Sequence, residues 1–353
     1  MKIASVLITY LILMQVSFVP ARCQEPYSDD HGQVREMVLN HSVKTVQLYR
    51  EGWPLSYPVI RLQGDVPLIL EFDDLSEDQP AFYYRLIHCN ADWTPSDLSE
   101  QEYLEGYPEN EIRGGMPSFN TYTTYLHYRL QVPNEDVRLL LSGNYLLLVY
   151  RDGIPDDVVF TRRFMVTEGQ VHIEARVHEP DLSTYRECCQ EVDFTVNHSG
   201  ITIDDPFNET RAVIYQNGLW DLGIDGLQPY MVNPDQLVYD YQEENVFQGG
   251  NEFRFFETKN TRTPTYFVQR IEFLDPYFHF ELKADKVRPS HVYSYAEDIN
   301  GRFAVEADGS QDPGVDADYV IVHFRLDMPF PLEGAVYVAG GLTNWQFDDL
   351  SRM

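Results

Sequence analysis

The feature that most limits what this chain can fold into is its division into short apolar runs that alternate in and out and are cut apart by Gly, Pro, Asn and Asp. Seven such runs lie at 43–49, 59–62, 68–72, 82–88, 125–132, 143–151 and 158–166. None has the 3.6-residue period of a helix, and period two over this length predicts strands of a sandwich. Seven strands with turn residues between them fit an Ig-like domain. Ser142-Gly143-Asn144-Tyr145 entering a strand predicts a tyrosine corner, the Tyr hydroxyl turned back onto backbone, and Asp152-Gly153 breaks the hairpin that follows. Glu168-Gly169 is the first boundary. Beyond it, runs at 171–177, 191–196, 211–216, 238–241, 252–256, 266–273 and 277–282 predict a second, less regular sandwich, with 303–307 at its edge. Residues 309–317 (GSQDPGVDA) have linker composition. Runs at 319–326 and 334–345 then open a third, early-set-like unit. About 35 residues cannot close a sandwich that normally takes about 100, so this unit is expected to be incomplete in the present sequence. The expected class is all-β, with tandem Ig-like/early-set β-sandwich domains at 42–168, 169–308 and 318–353.

The 353 residues carry a formal net charge of -30. Such a field repels phosphate backbones and anionic lipid, which excludes nucleic acid as a partner. Residues 1–23 have the form of a signal peptide: Lys2, an apolar run over 3–20, then Ala21-Arg22-Cys23. Acylation on Cys23 is the rival reading, but Arg22 fits a lipobox poorly. Residues 24–41 are polar and are expected to form a flexible N-terminus. Exported and lacking any further candidate span, the mature chain is not expected to insert in a membrane. It keeps Cys89, Cys188 and Cys189, an odd set that is no disulfide framework. Pairing of Cys89 with one of the vicinal cysteines stays open; the default is thiols acting as small hydrophobes.

The regular pattern breaks at 89–124, a long insertion between two strands. Thr94-Pro95-Ser96-Asp97 predicts a short helix over 95–105 with Thr94 as N-cap, ended by Gly106. Between 96 and 111 lie six carboxylates, Asp97, Glu100, Glu102, Glu105, Glu109 and Glu111, and no Lys or Arg. Trp93, Tyr103, Tyr107 and Phe119 are interleaved among them. Such an insertion is where a β-domain carries its function, although the aromatics could equally cap an open sandwich edge. His88 and Cys89 are adjacent in a strand and point to opposite faces, so they are no nucleophile–base pair. The carboxylates lack the D-x-[DN]-x-[DN]-G spacing of a calcium loop. His172 and His178 share a strand face but have no third ligand at zinc-like spacing. No catalytic, cofactor or metal residue is assigned, and no enzyme motif is present.

The segments IHCNADWTPSDLSEQEYLEG, SFNTYTTYLHYRLQVPN, SGNYLLLVYRD and TRRFMV resemble the plug protein family of the bacterial type IX secretion system, over about 43–168. The resemblance implies a periplasmic, non-catalytic β-sandwich protein that docks on the outer-membrane translocon barrel and closes its periplasmic mouth. The insertion is then the docking candidate, with Tyr103, Tyr107, Asp97, Glu100, Glu102 and Glu105 facing outward and Trp93 buried. A second reading is a secreted carbohydrate-binding or carbohydrate-degrading protein, motivated by the abundance of Tyr and by the Asn344-Trp345 turn.

Overall fold

The computed structural model describes residues 26–250, 252–288, 297–329 and 334–353; the signal-peptide reading of 1–23 lies outside them. Helix among the described residues is limited to single turns, at Glu100–Tyr103 (α1), Pro206–Glu209 and Pro313–Asp316, with 3-10 turns at Trp220–Leu222 and Gly341–Thr343. Among the described residues no helix is long and apolar enough to cross a membrane. The other described residues are strand and loop, and the protein is an all-β assembly of sandwich units.

The first unit comprises β1 (Met37–Val38), β2 (Val43–Arg50), β3 (Val59–Arg61), β4 (Leu68–Asp74), β5 (Phe82–Cys89), β6 (Leu104–Gly106), β7 (Glu109–Ile112), β8 (Met116–Pro117), β9 (Leu126–Val132), β10 (Val137–Leu139), β11 (Gly143–Arg151) and β12 (Val158–Thr167). One sheet runs β1-β12-β11-β5-β7, with β3 added on β12; the other runs β2-β4-β9-β8. Between them lies the main core, from Phe72, Phe82, Tyr145, Leu147, Val149 and Phe160 among others. β11 is apolar at every position from Tyr145 to Tyr150 because both its faces are covered. Tyr145, Leu147 and Val149 enter the inter-sheet core, while Leu146, Leu148 and Tyr150 enter a second core with Tyr27, Val34 and Trp93. The tyrosine corner forms, with Tyr145 Oη donating to the Leu141 carbonyl at 2.8 Å. Gly143 there has φ of +137°, and a Cβ would stand 2.6 Å from His88 Nε2; only glycine lets the ring lie against this backbone.

Residues 26–41, expected to be flexible, are instead packed. Val34 is fully buried and Tyr27 nearly so, and β1 adds to the edge of β12. The reason is a charge: Arg163, inside a buried strand, takes the Val34 carbonyl as acceptor at 2.7 Å.

The second unit holds β13 (His172–His178), β14 (Cys189–Asn197), β15 (Ala212–Tyr215), β16 (Gly223–Leu227), β17 (Met231–Asn233), β18 (Gln236–Tyr239) and β19 (Val246–Gln248). A five-stranded sheet, β13-β14-β18-β17 with β19 on β14, faces the β15–β16 hairpin across a small core of Phe194, Leu227, Leu237 and Tyr239. The third holds β20 (Val268–Leu274), β21 (Tyr277–Leu282), β22 (Asp285–Lys286), β23 (Val320–His323) and β24 (Leu326–Asp327). Its sheet is β20-β21-β23, the last pair parallel. The strand pairing does not follow the boundaries read as 169–308 and 318–353. The second sandwich ends near 248, and β23, assigned to the third sandwich, completes the sheet begun by β20 and β21. A parallel pair across so long a connection leaves no local turn signal. Residues 252–256 and 303–307 form no strand, and the strand pairing within 334–353 is an isolated bridge, Tyr337 to Arg352.

A candidate partner-binding surface on the first unit

The insertion begins in the turn after β5. Asp92 Oδ1 accepts the Thr94 hydroxyl at 2.6 Å and the Thr94 amide at 3.1 Å, which holds the Asp92 carboxyl below its ordinary pKa. Thr94 is thus already engaged and does not cap a helix; Pro95 instead bridges back to Cys89. The helix starts five residues later than read. Ser99 is its N-cap, and Glu102 Oε2 accepts both the Ser99 amide and hydroxyl at 2.8 Å, which lowers the Glu102 pKa. It is one turn long, Glu100–Tyr103, and Gly106 does not end it but sits in β6. Gly106 has φ of +118°, and a Cβ there would collide with the Asp136 carbonyl at 2.0 Å.

That turn puts Tyr103 inward, contrary to the expectation that it faces a partner. Tyr103 is 5% exposed, its ring lies 5.6 Å from His88 and 6.1 Å from Tyr145, and burial, with the nearby Glu100 charge, raises its hydroxyl pKa. It belongs to the core. The strands after it close the sandwich. β6 pairs with β10, β7 adds to β5 at the edge of one sheet, and β8 adds to β9 at the edge of the other. Edge-capping thus accounts for a good part of the insertion.

What remains outward is Asp97, Glu100, Glu102 and Glu105, all exposed, together with Tyr107 at 70% exposure. Glu109 and Glu111 face out from β7 while Asn110 and Ile112 face in. The opposing cations are few: Arg138 stands 3.8 Å from Glu105 and Arg113 3.3 Å from Glu111, both pairs solvent-exposed. Phe119 and Tyr122 leave this surface for the third unit: the Phe119 amide donates to the Val315 carbonyl, and the Tyr122 ring packs against Phe273 and Phe278.

Trp93, buried as read, has a function in the architecture that sequence reasoning missed. Its indole donates to Tyr215 Oη at 3.2 Å and packs at a tilt against Trp220, centroids 5.2 Å apart, both from the second unit. The Arg163 guanidinium lies 4.8 Å over the Trp93 ring and 2.7 Å from Asp221. The available signal was Arg162-Arg163 inside an otherwise apolar strand, since buried guanidinium groups must find partners. Arg162 also finds one far away, in Asn344 Oδ1 at 2.7 Å. Trp345 next to it packs edge-on to Phe253. The turn that motivated a sugar-binding reading is thus an internal joint.

His88 and Cys89 do diverge. His88 Nδ1 bonds Ser96 Oγ at 2.9 Å, while Cys89 lies in the second core with Trp93 and Leu146, its thiol pushed up to about 12 by burial. Cys89, Cys188 and Cys189 are all free thiols, so the Cys89 pairing left open above is not formed.

These features define a chain of β-sandwich units whose first unit, buttressed by the others, presents an acidic tip with one prominent aromatic. Residues 43–168 match the family described as type 9 secretion system plug protein, first domain, and the chain belongs to the type IX secretion system plug protein family. It is also similar to a hypothetical protein from Parabacteroides merdae ATCC 43184 known from a crystal structure, at 35% identity and a TM-score of 0.85, over 90% of this chain and 80% of that one. No curated protein matches it.

Proposed function

We propose that the chain is a non-catalytic periplasmic plug that docks on the outer-membrane barrel of the type IX translocon and closes its periplasmic mouth, with the acidic tip of the first unit as a principal contact. The observation that carries this reading is Tyr107, 70% exposed within a face of carboxylates on the unit that matches the plug family. Both outer faces of that unit are already occupied. The N-terminal segment and Trp220 cover one; Tyr319, which bonds Asp73 Oδ2 at 2.5 Å and Thr45 at 2.6 Å, covers the other. The tip, by contrast, is exposed. An aromatic anchor ringed by charge suits an interface that must also release.

The test is binding of the full chain to detergent-solubilised translocon, with a melt of each variant alongside. Tyr107→Ala should weaken binding by about 1–4 kcal/mol, the range of aromatic anchors, and change stability by less than about 0.5 kcal/mol, as exposed substitutions do. Tyr103→Ala should instead cost about 3–5 kcal/mol of stability, as deletion of a buried ring does. Binding unchanged in both Tyr107→Ala and a Glu100/Glu102/Glu105→Lys variant would remove the tip from the reading.

A further inference from the structure

The second unit carries a cluster that the plug role does not use. β13 and β14 are antiparallel, with His178 directly opposite Glu191. Asp193 is two residues on along the same strand and so shares its face. His178 Nε2 lies 2.6 Å from Asp193 Oδ2 and 4.0 Å from Glu191 Oε1, and the three ligand atoms fall within 4.8 Å of one another. Glu191 is wholly buried; one of its oxygens accepts the Asp181 amide at 2.9 Å, and the other, Oε1, has no hydrogen-bond partner among the described residues, its nearest cationic group being His178 at 4.0 Å. A carboxylate oxygen buried without a donor is costly unless something cationic meets it.

The surroundings fix these groups for ligation. His178 Nδ1 donates to the Glu179 carbonyl at 2.8 Å, and Nε2 donates to Asp193 Oδ2 at 2.6 Å; a cation would displace the Nε2 proton and take the freed lone pair, while the Nδ1 bond keeps the ring oriented. Fully buried Asn245 donates through Nδ2 to Asp193 Oδ1 at 3.1 Å and to the Val192 carbonyl at 2.9 Å. That leaves Asp193 Oδ2 for the cluster. We infer that His178, Glu191 and Asp193 form a binding site for a divalent first-row transition cation of the zinc class. One imidazole and two carboxylates suit such an ion better than calcium or magnesium, which prefer oxygen alone. Donors on one tetrahedral zinc stand about 3.3 Å apart at its usual bond lengths. To reach that spacing the His178–Asp193 distance opens by about 0.7 Å, the His178–Glu191 distance closes by about 0.7 Å, and the two carboxylates draw together by up to about 1.5 Å. His178 and Asp193 keep 15% and 25% of their side-chain surface, so the remaining coordination position opens to water.

Sequence spacing hid the site. His178 was read against its own strand, whereas its carboxylates come from the next one, across the hairpin. The ion would tie the edge strand β13 to β14 at the end where the connecting loop leaves them, a structural staple for a unit with few buried residues.

The test uses the full chain stripped with EDTA and titrated with zinc alone, by calorimetry and by melting with and without the metal. Wild type should bind one zinc with a rise in melting temperature. His178→Ala and Asp193→Asn should lose the rise and bind at least about tenfold more weakly. Glu191→Gln, which keeps the bond to the Asp181 amide, should weaken binding similarly. His172→Ala, on the same strand but away from the cluster, should match wild type. Circular dichroism of each apo variant identifies any that fail to fold, in which case Glu191→Gln decides. Equal affinity in wild type and the folded ligand variants, or no zinc-dependent stabilisation of wild type, would leave only a histidine–carboxylate ion cluster and overturn the site.

Discussion

Arg163→Met is the perturbation that probes how the units are held together. The guanidinium is 2% exposed; Nε donates to the Val34 carbonyl at 2.7 Å, Nη1 to Asp221 at 2.7 Å, and the group lies over Trp93. Methionine fills much of the volume but donates nothing. A buried backbone carbonyl at Val34 is then left without a partner, at about 1–3 kcal/mol. Loss of the cation–π contact adds about 0.5–2 kcal/mol. The Asp221 carboxylate is 60% exposed and returns to water at little cost. Replacing a buried ion pair wholly by apolar groups is often neutral, but here one acceptor is backbone and cannot be replaced. Relief of guanidinium desolvation therefore offsets only part of the loss, and a net cost of about 2–4 kcal/mol is expected. At about 2–4 °C per kcal/mol for a body of this size, the transition containing the first unit should fall by roughly 4–16 °C. Asp221→Asn should cost about 1 kcal/mol, because its partner keeps the carbonyl and the ring. Scanning calorimetry on the full chain is the assay, since several units need not melt as one. Limited proteolysis should show residues 26–41 released first in Arg163→Met. Equal costs for the two variants, or an Arg163→Met transition within about 1 kcal/mol of wild type, would refute the clamp.

Two further outcomes follow from the titrating groups. Burial pulls the His127 pKa down, but its 2.7 Å hydrogen bond to Asp73 and the charges of Asp73, Glu71 and Asp312 outweigh this and raise it. A raised folded pKa means the protonated pair stabilises fully below the ordinary value of about 6.5 and loses that contribution as pH rises through the folded value. The melting-temperature gap between wild type and His127→Gln should therefore narrow as pH rises above about 6.5; a constant gap would show that the pair is not charged. A maleimide applied to the native chain should modify exposed Cys188 and leave Cys89, buried with its thiol pushed up to about 12, until denaturant is added; early labelling of Cys89 would contradict its packing.

Strand existence in the first unit was legible because period-two alternation and turn residues agree there. β11 reads as a continuous apolar run since two cores need it, and β21 lies where expected, at 277–282. Three kinds of error had physical causes. At the helix start, Thr94-x-x-Asp97 and Ser99-x-x-Glu102 compete as caps, and Asp92 decides by taking the Thr94 hydroxyl. The 252–256 run is apolar enough for a strand, yet its aromatics serve contacts: Phe253 meets Trp345 and Phe255 meets Tyr266. The outward surface was legible in its charges but not in Tyr103, because a one-turn helix fixes facing by its start, and the start was misplaced by five residues. Non-local features left no pattern at all: β23 on β21, Val34 under Arg163, and carboxylates from β14 around His178.

The distribution of core explains why the joints matter. The first unit buries two clusters of large side chains. The second relies on Phe194, Leu227, Leu237 and Tyr239, and the third on Val268, Phe280 and Leu282. Cores of that size leave little surplus over the entropy of ordering the chain. Both later units accordingly lean on the first. One does so through Trp220, Tyr215 and Asp221 against Trp93, Glu36 and Arg163; the other through Tyr319, Ala317 and Phe303 against Asp73, Tyr125 and Gln47. These contacts join directional hydrogen bonds to aromatic packing, so they fix orientation as well as adding stability. Bonds at defined angles from both outer faces of the central sandwich thus hold each later unit in one orientation.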